Sequence, residues 1–150
     1  MYLKKLFIVV GCVLWSCSCN ENKSLDMDIV IENSVLLECV MNTRASNSIT
    51  GQYIKFSAIN NSTLRVEENV YINCCTQDIS LEINAEGKCI TINMTVADGG
   101  CNCICERILN YDLCNLQENK KYKIIFLRNN DEYHTGEFVF TKKIDLDIHL

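Results

Sequence analysis

Cysteine is the side chain with the most chemistry to offer in this 150-residue chain, which contains 11 of them. Cys101, Cys103 and Cys105 alternate along one short segment, Cys114 follows nine residues after Cys105, and Cys74 and Cys75 are adjacent. Cys39 and Cys89 bring the number beyond residue 27 to eight. An even number of thiols in an exported chain is read first as disulfides, here up to four, with the connectivity left open. The rival chemistry is a thiolate centre in which Cys101, Cys103, Cys105 and Cys114 hold Cu(I) or Zn(II). Zinc–sulfur bonds of about 2.3 Å put sulfurs roughly 3.8 Å apart, whereas alternate residues of a strand stand roughly 6.6 Å apart. A strand therefore opposes the metal and also keeps Cys101, Cys103 and Cys105 from bonding one another, so each should reach another strand. A loop would admit the metal, and a labile redox role for the same thiols is a third reading.

The other reactive groups form no recognisable constellation. His134 and His149 belong to neither a His-Glu-x-x-His nor a His-x-His pattern and read as strand-end or solvent-facing residues. Glu67, Glu68, Asp145 and Asp147 read as acids on solvated strand faces, since the last two alternate with Ile144, Leu146 and Ile148. A Gly-x-Ser-x-Gly elbow, a phosphate-cradling glycine loop and a Cys-x-x-Cys motif are all missing from the sequence. No catalytic residue is assigned, no cofactor is expected, and the chain is read as a non-enzyme.

These cysteines must be positioned by a single core. The length suits one domain, and 48% hydrophobic residues with 6 Gly and no Pro exclude a disordered or fibrous chain. A net charge of -5 leaves no basic surplus for phosphates, which argues against a nucleic-acid partner. From Asp28 onward, apolar residues recur at spacing two: Ile54, Phe56 and Ala58; Val70, Ile72 and Cys74; Ile79, Leu81 and Ile83; Ile90, Ile92, Met94 and Val96. Tyr122, Ile124 and Phe126, then Phe138 and Phe140, then Ile144 to Leu150 continue the pattern. Turn residues separate these runs at 42–51, 60–63, 85–87, 98–100 and 129–131. The expected fold is all-β, an antiparallel sandwich or, alternatively, a small β-barrel.

Within that fold, Asp98-Gly99 predicts a two-residue hairpin that sets Val96 opposite Cys101, Met94 opposite Cys103 and Ile92 opposite Cys105. A three-residue loop would slip the register by one, aligning the cysteines with Thr95 and Asn93. In the first register the three cysteines face the core with Leu109, Tyr111 and Leu113. Their partners on that face would be Cys74 and Cys39, the latter sharing its side with Leu37 and Val35. Cys75 and Cys89 fall on outward faces, which suggests a pair between them, and a Cys74–Cys75 bond would need a strained peptide.

The chain opens with Lys4 and Lys5 followed by an apolar run from Leu6 to Trp15, a basic start and short hydrophobic stretch expected of an export signal. That run is too short to span a bilayer as a helix. Leu14, Trp15, Ser16 and Cys17 resemble the lipobox of bacterial lipoproteins, and the resemblance implies acylation of Cys17 after removal of 1–16. Ser16 and Ser18 also suit ordinary signal cleavage before Cys19, giving a secreted form, and a cut at Cys12 would leave too short a hydrophobic stretch. Removal of 1–16 takes away two lysines and no acids, leaving 12 basic against 19 acidic residues, or -7. A negative molecule beside anionic lipid would attach through acyl chains rather than a polybasic patch. The polar stretch 17–26 then reads as a tether and 27–150 as the β domain.

Leu116 precedes Tyr122 by six positions, which resembles the corner before strand F of fibronectin type III and other immunoglobulin-like domains. There the Tyr hydroxyl bonds back to corner backbone, and Glu118 and Asn119 stand where that family carries Pro and Gly. A core aromatic opening a strand is the other reading of Tyr122. Leader and composition together resemble the small lipoproteins of Bacteroidota-type Gram-negative bacteria. The resemblance implies an outer-membrane protein on the periplasmic or cell-surface face, held by its N-terminal lipid. Its expected role is binding, with a protein or glycan partner, and a metal-thiolate carrier or sensor is the alternative.

Overall fold

The computed structural model describes residues 28–39, 52–97 and 99–150. Among them nine strands form two sheets. The first sheet contains β1 (Val30–Leu36), β2 (Tyr53–Ala58), β3 (Leu64–Asn73), β6 (Ile104–Cys114) and β9 (Asp145–His149), in the order β1-β6-β3-β2-β9. The second contains β4 (Ile79–Glu86), β5 (Cys89–Val96), β7 (Lys121–Arg128) and β8 (Asp131–Val139), in the order β4-β5-β7-β8. Neither sheet closes on itself, so the barrel alternative does not describe the fold.

The period-two pattern is what packs the sheets together. Ile54, Phe56, Leu64, Val66, Leu109, Tyr111 and Leu113 of the first sheet are buried, as are Ile90, Ile92, Met94, Tyr122, Ile124, Phe126 and Phe138 of the second. Phe56 bridges the layers, its ring centroid 5.2 Å from that of Phe138 and 6.4 Å from that of Phe126. Burial of such a ring stabilises the fold by about 1.5–3 kcal/mol, and the shared face makes the arrangement sandwich-like.

Two departures from the sequence reading follow from connectivity. Strand β5 does not pair with β6: it lies between β4 and β7, and Ala97 to Cys103 carries the chain from the second sheet into the first. The expected Val96–Cys101 hairpin is therefore a change of sheet. Because β6 runs back in the opposite layer, β7 starts at the same end of the molecule as β5 and the two are parallel, so the sheets are not wholly antiparallel. In β1 the register slips between Glu32 and Val35, where Asn33 takes φ 52°. The bulge turns Leu36 inward and leaves Val35 and Leu37 exposed, reversing the face expected for those two residues.

The registers define two poles. Asp28, the 58–64 turn, Gly87, the 115–120 corner and the 140–144 turn lie at one, here the entry pole. The last residues of β1, β3, β5 and β7 lie at the other.

Candidate functional site

The cysteines gather at that second pole. Register places Ile72 opposite Cys105, so Cys74, two residues past Ile72, leaves β3 on the side from which Cys103 and Cys101 approach β6. Three disulfides result: Cys39–Cys105, Cys74–Cys103 and Cys75–Cys101, with Cα separations of 5.7, 5.6 and 6.0 Å. Cys101 and Cys103 thus reach the adjacent Cys75 and Cys74 and Cys105 reaches Cys39, so the expected partners Cys74 and Cys39 are both used; Cys101 and Cys103 precede β6, so the strand spacing does not hold for them.

Hydrogen bonds brace the sulfur pole. The Asn73 side chain donates to the Cys101 carbonyl at 2.5 Å and accepts from the Cys75 amide at 2.9 Å. Arg107 donates to the carbonyls of Leu37 at 2.8 Å and Thr76 at 2.7 Å, tying together the ends of three segments. Gly99 packs so closely that a Cβ there would lie 2.5 Å from the Thr76 amide nitrogen. The Cys39, Cys74 and Cys105 sulfurs lie within 4.8 Å of one another, and those of Cys101 and Cys103 are 3.7 Å apart.

Other cysteines do not join them. Cys89 and Cys114 are the free cysteines among the described residues. Cys89 opens β5 opposite Lys123, near the entry pole, so the expected Cys75–Cys89 pair does not form; Cys75 bonds Cys101 instead. Cys114 closes β6, nine residues or about 30 Å of strand from Cys105, so the proposed quartet of Cys101, Cys103, Cys105 and Cys114 is not brought together. Burial pushes the Cys114 thiol up, against a hydrogen bond from the Thr63 hydroxyl. Cys17 lies outside the described residues.

Between the two poles the core contains a carboxyl group that sequence reading left on the surface. Glu68 alternates with Leu64, Val66, Val70 and Ile72 on the inner face of β3 and is 2% exposed. Tyr111 and Tyr133 donate their hydroxyls to its two oxygens, Tyr133 at 2.5 Å. Burial pushes the Glu68 carboxyl above its ordinary value, opposed by these two hydrogen bonds and by the Arg128 charge. Tyr133 comes from the second sheet: β8 slips register against β7 between Phe126 and Leu127, so Tyr133 and its neighbour His134 both turn inward. The Arg128 guanidinium lies 5.2 Å from the Tyr133 ring centroid. His134 packs 6.0 Å from Phe126 rather than facing solvent, whereas His149 is exposed.

A pocket of about 290 Å³ opens over this network, lined by Gln52, Arg128, Asn129, Asp131, Glu132 and Tyr133. Its walls are amides, carboxylates, one cation and one aromatic ring, which suits a polar partner held by hydrogen bonds and stacking. Alternation through Leu64, Val66, Val70 and Ile72 was a readable signal for Glu68. The bulge that aims Tyr133 had no such signal. Comparison with protein-family models, curated proteins and solved structures finds no match.

Proposed function

We propose that the protein is a non-enzymatic binding module of a bacterial outer membrane, anchored by lipid on Cys17 through a tether over 17–26. Its immunoglobulin-like sandwich would present the stapled pole, with the Arg128–Tyr133 pocket, to a protein or glycan partner. The observation that carries this reading is the set of three disulfides at one pole, since such bonds persist outside the reducing cytoplasm. Support for the immunoglobulin likeness comes from Tyr122, whose hydroxyl accepts the Gln117 amide at 2.9 Å, with Asn119 at φ 62° in the conformation that glycine favours. The parallel β5–β7 pair departs from that family's antiparallel sheets.

Intact mass of the protein purified from membranes, reduced and unreduced, tests the reading. The expected result is an acylated chain beginning at Cys17, in which Cys89 and Cys114 are the alkylated domain cysteines after denaturation without reductant. A full leader with every thiol alkylated would overturn it.

A metal-thiolate carrier is the second reading, favoured by the convergence of the Cys39, Cys74 and Cys105 sulfurs. Reduced, that trio could offer three thiolates to Cu(I) or Zn(II). Elemental analysis alongside the thiol count separates the two: free thiols with stoichiometric metal favour the carrier.

A further inference from the structure

Net charge conceals how the charges are arranged. Lys88, Lys120, Lys121, Lys123, Lys142 and Lys143 are all exposed and all belong to the entry pole or the strand ends that reach it. Strand register explains the grouping: β7 begins at Lys121, β8 ends opposite it, and the turns at 87–88 and 140–144 flank that corner. Arg65 and six acids share the region, Asp28, Glu32, Glu86, Asp112, Glu118 and Glu137, of which Glu137 pairs with Lys121 at 2.6 Å and Asp112 with Arg65 at 2.9 Å. Lys55 and Asp145 neutralise each other at 3.7 Å. The remaining described residues hold two arginines against nine acidic side chains. One end is thus net positive on a strongly negative molecule.

Two further features mark this end. Ile59 and Val139 are exposed there, at 47% and 48%, which puts apolar side chains among the lysines. Asp28, where the described chain enters the domain, is at the same pole.

We propose that the entry pole is a docking face for an anionic phospholipid bilayer, with the lysines against headgroup phosphates and Ile59 and Val139 at the interface. Lysine heads meet phosphates while short apolar side chains enter the headgroup boundary, the combination that peripheral membrane surfaces use. The opposite, stapled pole then points away from the membrane. The proposal rests on the anchored reading only for what brings the pole to the bilayer, and it departs from the expectation, drawn from net charge, that attachment uses acyl chains rather than a polybasic patch.

The test uses the full-length protein purified from membranes and placed on vesicles of phosphatidylcholine alone or with phosphatidylglycerol. Amine-reactive labelling is then mapped by mass spectrometry. Lys88, Lys120, Lys142 and Lys143 should label about fivefold more slowly on the anionic vesicles at low salt, with protection lost at about 0.5 M salt. Lys55, on the flank, should label equally on both. Triple substitution Lys120→Glu, Lys142→Glu and Lys143→Glu, all at exposed positions, should abolish the remaining protection at Lys88. Equal labelling on both vesicle types overturns the proposal.

If the purified chain lacks acyl groups, flotation with the same vesicles separates the two ideas. Salt-sensitive binding to anionic vesicles alone would sustain this face without the lipid anchor, and binding to neither would sink both.

Discussion

Glu68 and Asp112 are both buried acids, yet they should act on stability in opposite directions. Glu68 is held above the ordinary carboxylate value, so between that value and its own the native state binds more protons than the unfolded chain. Its contribution therefore makes the protein less stable as pH rises through that window. For Asp112 burial is outweighed by hydrogen bonds from Arg65 at 2.9 Å and Asn33 at 2.9 Å and by the Arg65 charge, which hold it below its ordinary value. The stability it contributes is present above the ordinary value and is lost as pH falls through the lowered one. Urea unfolding across a pH series should show Glu68→Gln flattening the first slope and Asp112→Asn the second. A first slope that persists in Glu68→Gln would mean another group causes it. Glu68 was legible from its apolar alternates, but reading both Glu67 and Glu68 as solvated acids overlooked that consecutive strand residues point opposite ways.

The 115–120 corner and the sulfur pole join the two sheets at opposite ends. At the corner, Tyr122→Phe removes the acceptor of the Gln117 amide and should cost about 1–2 kcal/mol in chemical denaturation, with the ring still packed against Phe138 at 5.6 Å. At the sulfur pole the bridges are unequal. Cys39–Cys105 closes 66 residues, so replacing both by Ala should cost about 3–4 kcal/mol. Cys75–Cys101 joins segments that Cys74–Cys103 already holds, and its paired removal should cost less than about 1 kcal/mol. Comparable losses for both double variants, measured as unfolding midpoints, would contradict this ordering. Most strands were legible because alternation reports burial directly. The partner of β5 was not, since Asp98-Gly99 signals a reversal but not whether the reversing chain stays in its sheet. The outward turn of Val35 was equally hidden, because it depends on the Asn33 bulge.

Taken together, the two sheets and three bridges make a protein whose core and covalent ties have separate centres. Phe56, Phe126 and Phe138 meet between the layers, while the bridges close one pole. The bridges together contribute about 7 kcal/mol by loop arithmetic, a large part of the roughly 5–15 kcal/mol typical of a domain. Reduction should therefore lower the thermal midpoint by more than about 15 °C, followed by circular dichroism with and without reductant. An unchanged midpoint would show that the pairs contribute little. The all-β class and the grouping of Cys74 and Cys39 with Cys101, Cys103 and Cys105 could be read from spacing. The lysine-bearing pole could not, because residues 88, 120 and 142 are brought together only by strand pairing.

If the chain is exported, as the proposed function holds, the short bridges of the sulfur pole bear on the order of events. Cys74–Cys103 and Cys75–Cys101 span 29 and 26 residues, and the segment they enclose is the β4–β5 hairpin. All four of these cysteines have emerged before any residue of β7 or β8. An oxidising catalyst could thus lock that hairpin as a closed ring on a half-delivered polypeptide, leaving β7 to arrive later and complete the second layer alongside β5.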